Sequence, residues 1–463
     1  MTGETQARFL TGSPMRHVAV MAATSSVGLM ALFAVDFVDM IFISMLGKAE
    51  LAAAVGYGAA ILFFTISFGI GMSIAAGALV ARALGSGETA LAKRRATHAL
   101  IHGVALGALF STLVWFNLPF LVSLLGATGE THGLTVMYLS IVVPSLPFLM
   151  VGMIGGAILR AHGDARRAMM ATLYGGLVNL VLDPILIFGL EMELAGAAWA
   201  SVAARATIAA TALLPIIRHH GGFLRPRAGA LLADLRPVLA IGLPAVLTQL
   251  ATPIGQAYVT RAMAEYGEEA VAGFAIISRL VPLAFGILFA LSGAIGPIIG
   301  QNAGAGNRAR VRQTFRDGMI FCAGVTVLVS LVLFVLRAPI ADLFSAQGLT
   351  RELLFLFCGP LALTYFFNGA IFVANAGFNN LGRPFLSTVT NWGRNTLGTI
   401  PFVIGFGWAF GAPGVLIGQA AGGVAFAFLA WLLATRLIER GGGQAGADPE
   451  GDTRFFSLLY RRR

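Results

Sequence analysis

Apolar residues along the chain gather into twelve long runs separated by short polar stretches. The runs fall near 16–46, 51–82, 95–123, 132–159, 166–190 and 194–217, then near 236–264, 268–301, 313–336, 352–379, 385–409 and 412–438. Each is long enough for a helix to cross a bilayer, which takes about 20 residues. No stretch shows the short alternating pattern of barrel strands. The pattern therefore predicts an all-α polytopic membrane protein with 12 transmembrane helices.

The polar punctuation alternates in charge. One set of connections is basic: Arg82 with Lys93, Arg94 and Arg95; Arg160 with Arg166 and Arg167; Arg218, Arg225, Arg227 and Arg236; Arg308, Arg310, Arg312 and Arg316; and Arg383. The other set is poor in base and holds Lys48, Glu50, Glu130, Glu191, Glu193, Glu265, Glu268 and Glu269. Only Arg337 and Arg351 depart from this, beside Asp342 and Glu352. By the positive-inside rule the basic loops and both termini are cytoplasmic, so the number of spans is even. The expected location is the inner (cytoplasmic) membrane, crossed many times.

The two halves repeat each other. The segment VARALGSGETALAKR (80–94) aligns with IGQNAGAGNRARVR (299–312) at an offset of 219, and HGDARRAMMATL (162–173) aligns with LGRPFLSTVTNW (381–392) at the same offset. AGAAWASVAA (195–204) matches PGVLIGQAAG (413–422) at 218. Both halves have six spans and begin on the same side, so the pseudo-two-fold axis relating the two six-helix bundles runs normal to the membrane. The expected division is an N-terminal lobe at 1–220, a C-terminal lobe at 221–440 and a disordered cytoplasmic tail at 441–463.

Composition agrees with the pattern. Of 463 residues, 57% are hydrophobic and 11% charged, against about 25% charged in soluble domains. The net charge of +10 follows from the basic loops and their attraction to anionic headgroups, so membrane lipids are partners and nucleic acid is not. The first residues lack the layout of a cleavable signal. Cys322 and Cys358 both lie inside apolar spans, which argues against a disulfide framework.

With so few carboxylates, each can be placed. Of 21, all but three fall in tails, in loops or near span ends; Asp36, Asp39 and Asp183 lie deep. A mid-bilayer Asp costs roughly 2.5–3.5 kcal/mol on insertion scales and usually faces a wet interior that handles ions, protons or substrate. Asp36 and Asp39 are three apart on one helix face, and Asn179 stands four before Asp183 in GLVNLVLDPILIFG. Pro184 then removes a backbone N–H and predicts a helix kink. Acid, amide and freed carbonyl are hard oxygen donors, suited to H⁺ or Na⁺ rather than a soft transition metal. Arg205 and Arg394 also lie within spans, in settings without acids. Arg394 either structures the second lobe or lines its cavity. His98 and His102 are expected at the membrane interface.

These features resemble the multidrug and toxic compound extrusion (MATE) family. The likeness rests on FVDMIFISMLG (37–47), the Asn-x-x-x-Asp-Pro run at 179–184, GAAWASVAAR (196–205), IGLP (241–244) and GPIIGQNAGAG (296–306). The resemblance implies two six-helix bundles in a V around a central cavity, working by alternating access. It implies a cation site at Asp39, Asp183 and Asn179, joined in DinF-like members by a fourth-span tyrosine and a sixth-span hydroxyl, matched here by Tyr138 and Ser201. Asp36 is an additional acid. The seventh and tenth spans carry no acid, which resembles the DinF-like branch with coupling confined to the first lobe. The first span has no proline between Ala19 and Phe42.

The expected function is a monomeric H⁺- or Na⁺-coupled antiporter exporting amphipathic, often cationic, organic compounds, with no cofactor beyond the coupling ion. A lipid or lipid-linked sugar flippase of related fold is the alternative; it calls for a basic cavity, and Arg205, Arg261 and Arg394 stand far apart in the chain. An intramembrane aspartyl enzyme lacks its signatures here, so the protein is not expected to be an enzyme.

Overall fold

A computed structural model describes residues 7–441. The expected tail lies almost wholly outside the described residues. The chain forms α1 (Pro14–Met45), α2 (Ala49–Gly85), α3 (Thr89–Phe116), α4 (Gly129–Ala161), α5 (Ala165–Gly189), α6 (Glu193–His219), α7 (Ala228–Ala264), α8 (268–304), α9 (Arg308–Leu343), α10 (348–380), α11 (385–410) and α12 (412–439). The last two run on as one helical stretch, Phe385–Glu439, of 55 residues. At about 1.5 Å per residue that is far longer than one crossing. Gly411, at φ +65°, is where it folds back into two.

Several spans are broken, each at a residue that disturbs the helical ladder. In α4, Pro144 has no N–H to offer Ser140, and the indole Nε1 of Trp115 donates to that carbonyl instead at 3.2 Å. α5 continues through Pro184 and then widens into a π turn over Ile185–Gly189. α8 is two helices, Glu268–Ala284 and Gly286–Gly304, joined at Phe285. α10 bends by 58° between Leu361 and Tyr365. The start of α7 is a correction: it begins at Ala228 rather than near 236, because Asp234 is buried and pinned by Arg94, Arg95 and His98 of α3. His98 and His102 are accordingly buried in a helix contact, not interfacial.

The lobes meet symmetrically. α1 packs on α8 and α2 packs on α7, the pairs that a two-fold axis exchanges, and α2 crosses α8 on the axis. At that crossing a Cβ on Gly85 would run into the carbonyl of Gln301, and a Cβ on Gly304 into the carbonyl of Arg82. Each position is 219 residues from its mate. Gly87 and Gly306, at φ +80° and +70°, end the two helices with matching hydrogen bonds. Small residues let helix backbones touch in a membrane, where apolar burial alone gives no preference for protein over lipid.

Both crossings lie at the end that carries the arginine-rich loops. There the segment before α1 straps the lobes together. Arg8 donates to Gly163 O at 2.9 Å, and Phe9 N–H donates to Gln301 Oε1 at 2.8 Å. Gln301 Nε2 donates in turn to Ala161 O at 2.8 Å, while Asn302 and Arg310 both donate to Phe9 O. The outer faces are apolar and open, as with Val327, Leu328, Leu331 and Val335 on α9, which suits lipid contact.

Candidate functional site

Between the lobes lies a cavity of about 870 Å³. Its N-lobe wall includes Asp36, Asp39, Asn179, Ser201, Arg205 and Arg160, and its C-lobe wall includes Gln256, Asn368, Asn391, Arg394, Asn395 and Gln419.

α1 and α5 bring the N-lobe acids together. Asn179 Nδ2 donates to Asp183 Oδ2 at 2.7 Å and to Asp39 Oδ1 at 3.2 Å, so one amide bridges two carboxyl groups on different helices. Asp183 has no exposed surface, whereas Asp39 opens onto the cavity. Asp183 Oδ1 is buried without a hydrogen-bond partner. A buried acceptor left so is costly in an apolar setting, and it is the natural place for a proton or a small cation. Three of the residues singled out in the sequence thus form one site.

The other expected members stand at varying distances from it. Asp36 lies one turn along α1, exposed to the cavity. Ser201 lines the cavity on α6, but no hydrogen bond joins its hydroxyl to either acid. Tyr138 is buried on α4, its ring against Gly58 of α2, and it makes no hydrogen bond to the carboxyl groups. Pro184 follows Asp183 directly, and the π turn beyond it reshapes the wall on which Asp183 sits.

Two arginines correct the sequence reading. Arg205 is not remote from acid: it lines the same cavity wall as Asp36, while Nη1 donates to Val142 O and Ser145 Oγ, at 3.1 and 2.9 Å, beside the Pro144 break. Arg160, expected in a loop, faces the cavity near Gly156 and Gly293. Arg394 also lines the cavity, on the C-lobe side, and its Nη1 donates to Asn368 Oδ1. Arg205 and Arg394, far apart in the chain, therefore share one chamber. Among the described residues no group of three His, Cys, Asp or Glu is placed to hold a metal.

The amides of the C-lobe were missed. Charge alone does not mark Asn and Gln, yet α7, α10, α11 and α12 turn nine of them to the cavity. Their signal was present: polar residues recur in the tenth and eleventh runs, as in FFNGAIFVANAGFNN and TNWGRN.

Comparison with known proteins agrees with this architecture. A family model described as MatE matches residues 25–185 and again 244–404, the second match beginning 219 residues after the first. The chain is 28% identical over 441 residues to a FAD transporter of Shewanella oneidensis, covering 93% of this chain and 96% of that one. It is 25% identical over 407 residues to the multidrug export protein MepA of Staphylococcus haemolyticus, covering 87% and 89%. Among solved structures, a mutant of the Vibrio cholerae MATE transporter VcmN superposes with a TM-score of 0.87 at 24% identity, covering 92% of this chain and 97% of that one. An outward-facing multidrug resistance MATE family transporter gives 0.87 at 22% identity, with 95% and 99% covered.

Proposed function

This chain belongs to the MatE family, and from that premise we propose that it is a cation-coupled antiporter exporting organic compounds by alternating access. The observation that carries the reading is the Asp39–Asn179–Asp183 bridge, buried at one end and open to the interlobe cavity at the other. Two carboxyl groups tied by one amide repel each other when ionised, and one added positive charge relieves that repulsion. The donors are all oxygen, which fits H⁺ or Na⁺. A cation enters from the cavity at Asp39 and settles against Asp183. Neutralising the pair disfavours the state that holds cargo, and release of the cation on the other side resets it.

The basic end, held shut by the α2–α8 crossing and the Phe9 strap, faces the cytoplasm of the inner membrane under this reading, and the cavity belongs to an outward-open state. The C-lobe wall of the cavity contains no carboxylate, so coupling resides in the N-lobe, as the DinF-like resemblance implies. By likeness to proteins named for FAD transport and multidrug export, the cargo is a small amphipathic organic compound; the carboxyl groups of Asp36 and Asp39 on the N-lobe wall suit one with a positive group.

The test is efflux from energised vesicles. Asp39→Asn and Asp183→Asn are each expected to insert normally and to abolish gradient-driven export of ethidium. Wild-type rates in both variants overturn the proposal. Imposing a proton or a sodium gradient alone identifies the coupling ion.

A further inference from the structure

The C-lobe wall poses a charge problem of its own. Arg394 lies mid-span on α11, a cation at a depth where charge is expensive. Its protein partner there is the neutral Asn368 carbonyl oxygen, and no carboxylate of the C-lobe reaches the cavity. A half-buried cation at this depth without a counter-ion is destabilising unless something else brings the opposite charge. The helix itself is interrupted just beyond. Gly398 N–H reaches back to Gly393 O, and the Thr399 hydroxyl donates to the carbonyl of Arg394 at 2.9 Å. Interrupted helices at the inner wall of a transporter are where ligands bind, because their backbone geometry opens space beside fixed polar groups.

A second set of groups stands nearby. Gln419 Nε2 on α12 donates to Gln256 Oε1 on α7 at 3.3 Å. That pairing leaves Gln256 Nε2 as a donor and Gln419 Oε1 as an acceptor, on two residues that line the cavity. A donor and an acceptor side by side match the edge of a lactam or amidine ring. Arg160 adds positive charge from the opposite, N-lobe wall of the same cavity, and no carboxylate pairs with it.

We propose that Arg394, oriented by Asn368, is the docking point for an anionic group of the cargo, a phosphate ester or carboxylate, with Gln256 and Gln419 engaging a polar heteroaromatic ring. This rests on the cavity being the transport route, and it sets the charge of one end of the cargo. A molecule with its negative group on Arg394 and a neutral or positive part toward Asp36 satisfies both walls. Asn368 is a positioning residue; Arg394 touches the ligand.

The experiment uses the full chain in phosphatidylcholine nanodiscs, titrated with flavin mononucleotide and with riboflavin. These share a ring and differ by one phosphate, and their own fluorescence reports binding. Wild type is expected to bind the phosphate ester about tenfold tighter or more, the scale of one charge-assisted contact. Arg394→Gln removes the difference, and Arg394→Lys keeps part of it. Asn368→Asp, nearly isosteric, supplies Arg394 with a permanent counter-ion and removes the difference without loss of fold, which covers the case of an unfolded glutamine variant. Equal binding of both probes by wild type, or an undiminished preference in folded Asn368→Asp, overturns the proposal. So does a phosphate preference that vanishes when phosphatidylglycerol is added, since the site then belongs to a lipid headgroup. Asp39→Asn is expected to lose export yet keep the phosphate preference, so failure of the coupling reading and failure of this one are told apart.

Discussion

Where α1 carries Asp36, α7 carries Gly255; where α5 carries Gly176, α11 carries Asn395. The two lobes repeat one backbone plan, and at this contact they fill the same gap from opposite sides. In the C-lobe, Asn395 lies over Gly255 so closely that a Cβ there would meet its side chain, with Asn395 Cγ at 2.9 Å. In the N-lobe the glycine is on the fifth helix, and a Cβ on Gly176 would come 3.1 Å from Val35 of the first. The same exchange recurs along these helices. Asp39, Asn179 and Asp183 stand opposite Tyr258, Gly398 and Phe402, while Arg394 stands opposite Gly175.

The cores follow suit. Most buried apolar residues of the N-lobe fall into two clusters, one holding Ala168 and the other Ile187 of the same helix, with Asn179 and Asp183 between them. Those of the C-lobe fall mainly into one continuous cluster, which also takes in Val18, Met21, Ala22 and Ala165 of α1 and α5. Duplication supplied the scaffold, and divergence at a few inward positions gave one lobe the cavity's carboxylates and the other most of its amides. A backbone set by glycine contacts tolerates such exchange as long as the volume in each gap is kept.

The largest expected difference between the lobes is functional. Asp39→Asn should lower gradient-driven ethidium efflux by about a hundredfold or more, whereas Tyr258→Phe at the matching C-lobe position should leave it within about twofold; equal losses would mean the lobes share the coupling. At the basic end, Gln301→Ala should cost about 1–3 kcal/mol for each backbone group it leaves unsatisfied. Hydrogen exchange at the Phe9 amide is the readout. Its two-fold mate Arg82, whose Nε reaches only the Ala78 carbonyl of its own helix at 3.4 Å, should leave that amide protected when changed to Ala.

Within the lobes, Gly255→Ala should lower thermal stability by about 1–3 kcal/mol through overpacking. Gly176→Ala should cost less, because Val35 can shift by a few tenths of an ångström. The smallest effect is expected at the loop before α5. There Asp164 caps the helix and accepts from Arg167 and His220, at 2.6 and 3.1 Å, while the C-lobe has Arg383. Burial raises the Asp164 carboxyl, but its hydrogen bonds from His220 and Arg167 outweigh that and hold it below the usual range. Its contribution is therefore complete above the unfolded carboxylate value near 3.9 and fades only as pH falls below it. Asp164→Ala should cost about 1 kcal/mol at pH 7, measured by thermal unfolding, with the difference from wild type shrinking as Asp164 is protonated in strong acid.

The helices, their number, the lobe repeat and the three deep acids were legible from the chain alone. Hydrocarbon forces every span to satisfy its own backbone, and it makes each buried charge conspicuous against an apolar background. The pairing of Asp39 with Asn179 followed from the family likeness, since nothing in the spacing of α1 and α5 says which faces meet. The meeting of Arg205 and Asp36 on one wall, the burial of His98 against Asp234 and the inward turn of Arg160 were decided only by how helices cross. So was the gathering of Gln256, Asn368, Asn391, Asn395 and Gln419 on one wall, because neutral amides leave little trace in hydropathy and come from four separate helices. Which residues share a cavity depends on the rotation of each helix about its own axis. That rotation is set by glycine contacts between helices hundreds of residues apart, and a one-dimensional pattern does not carry it.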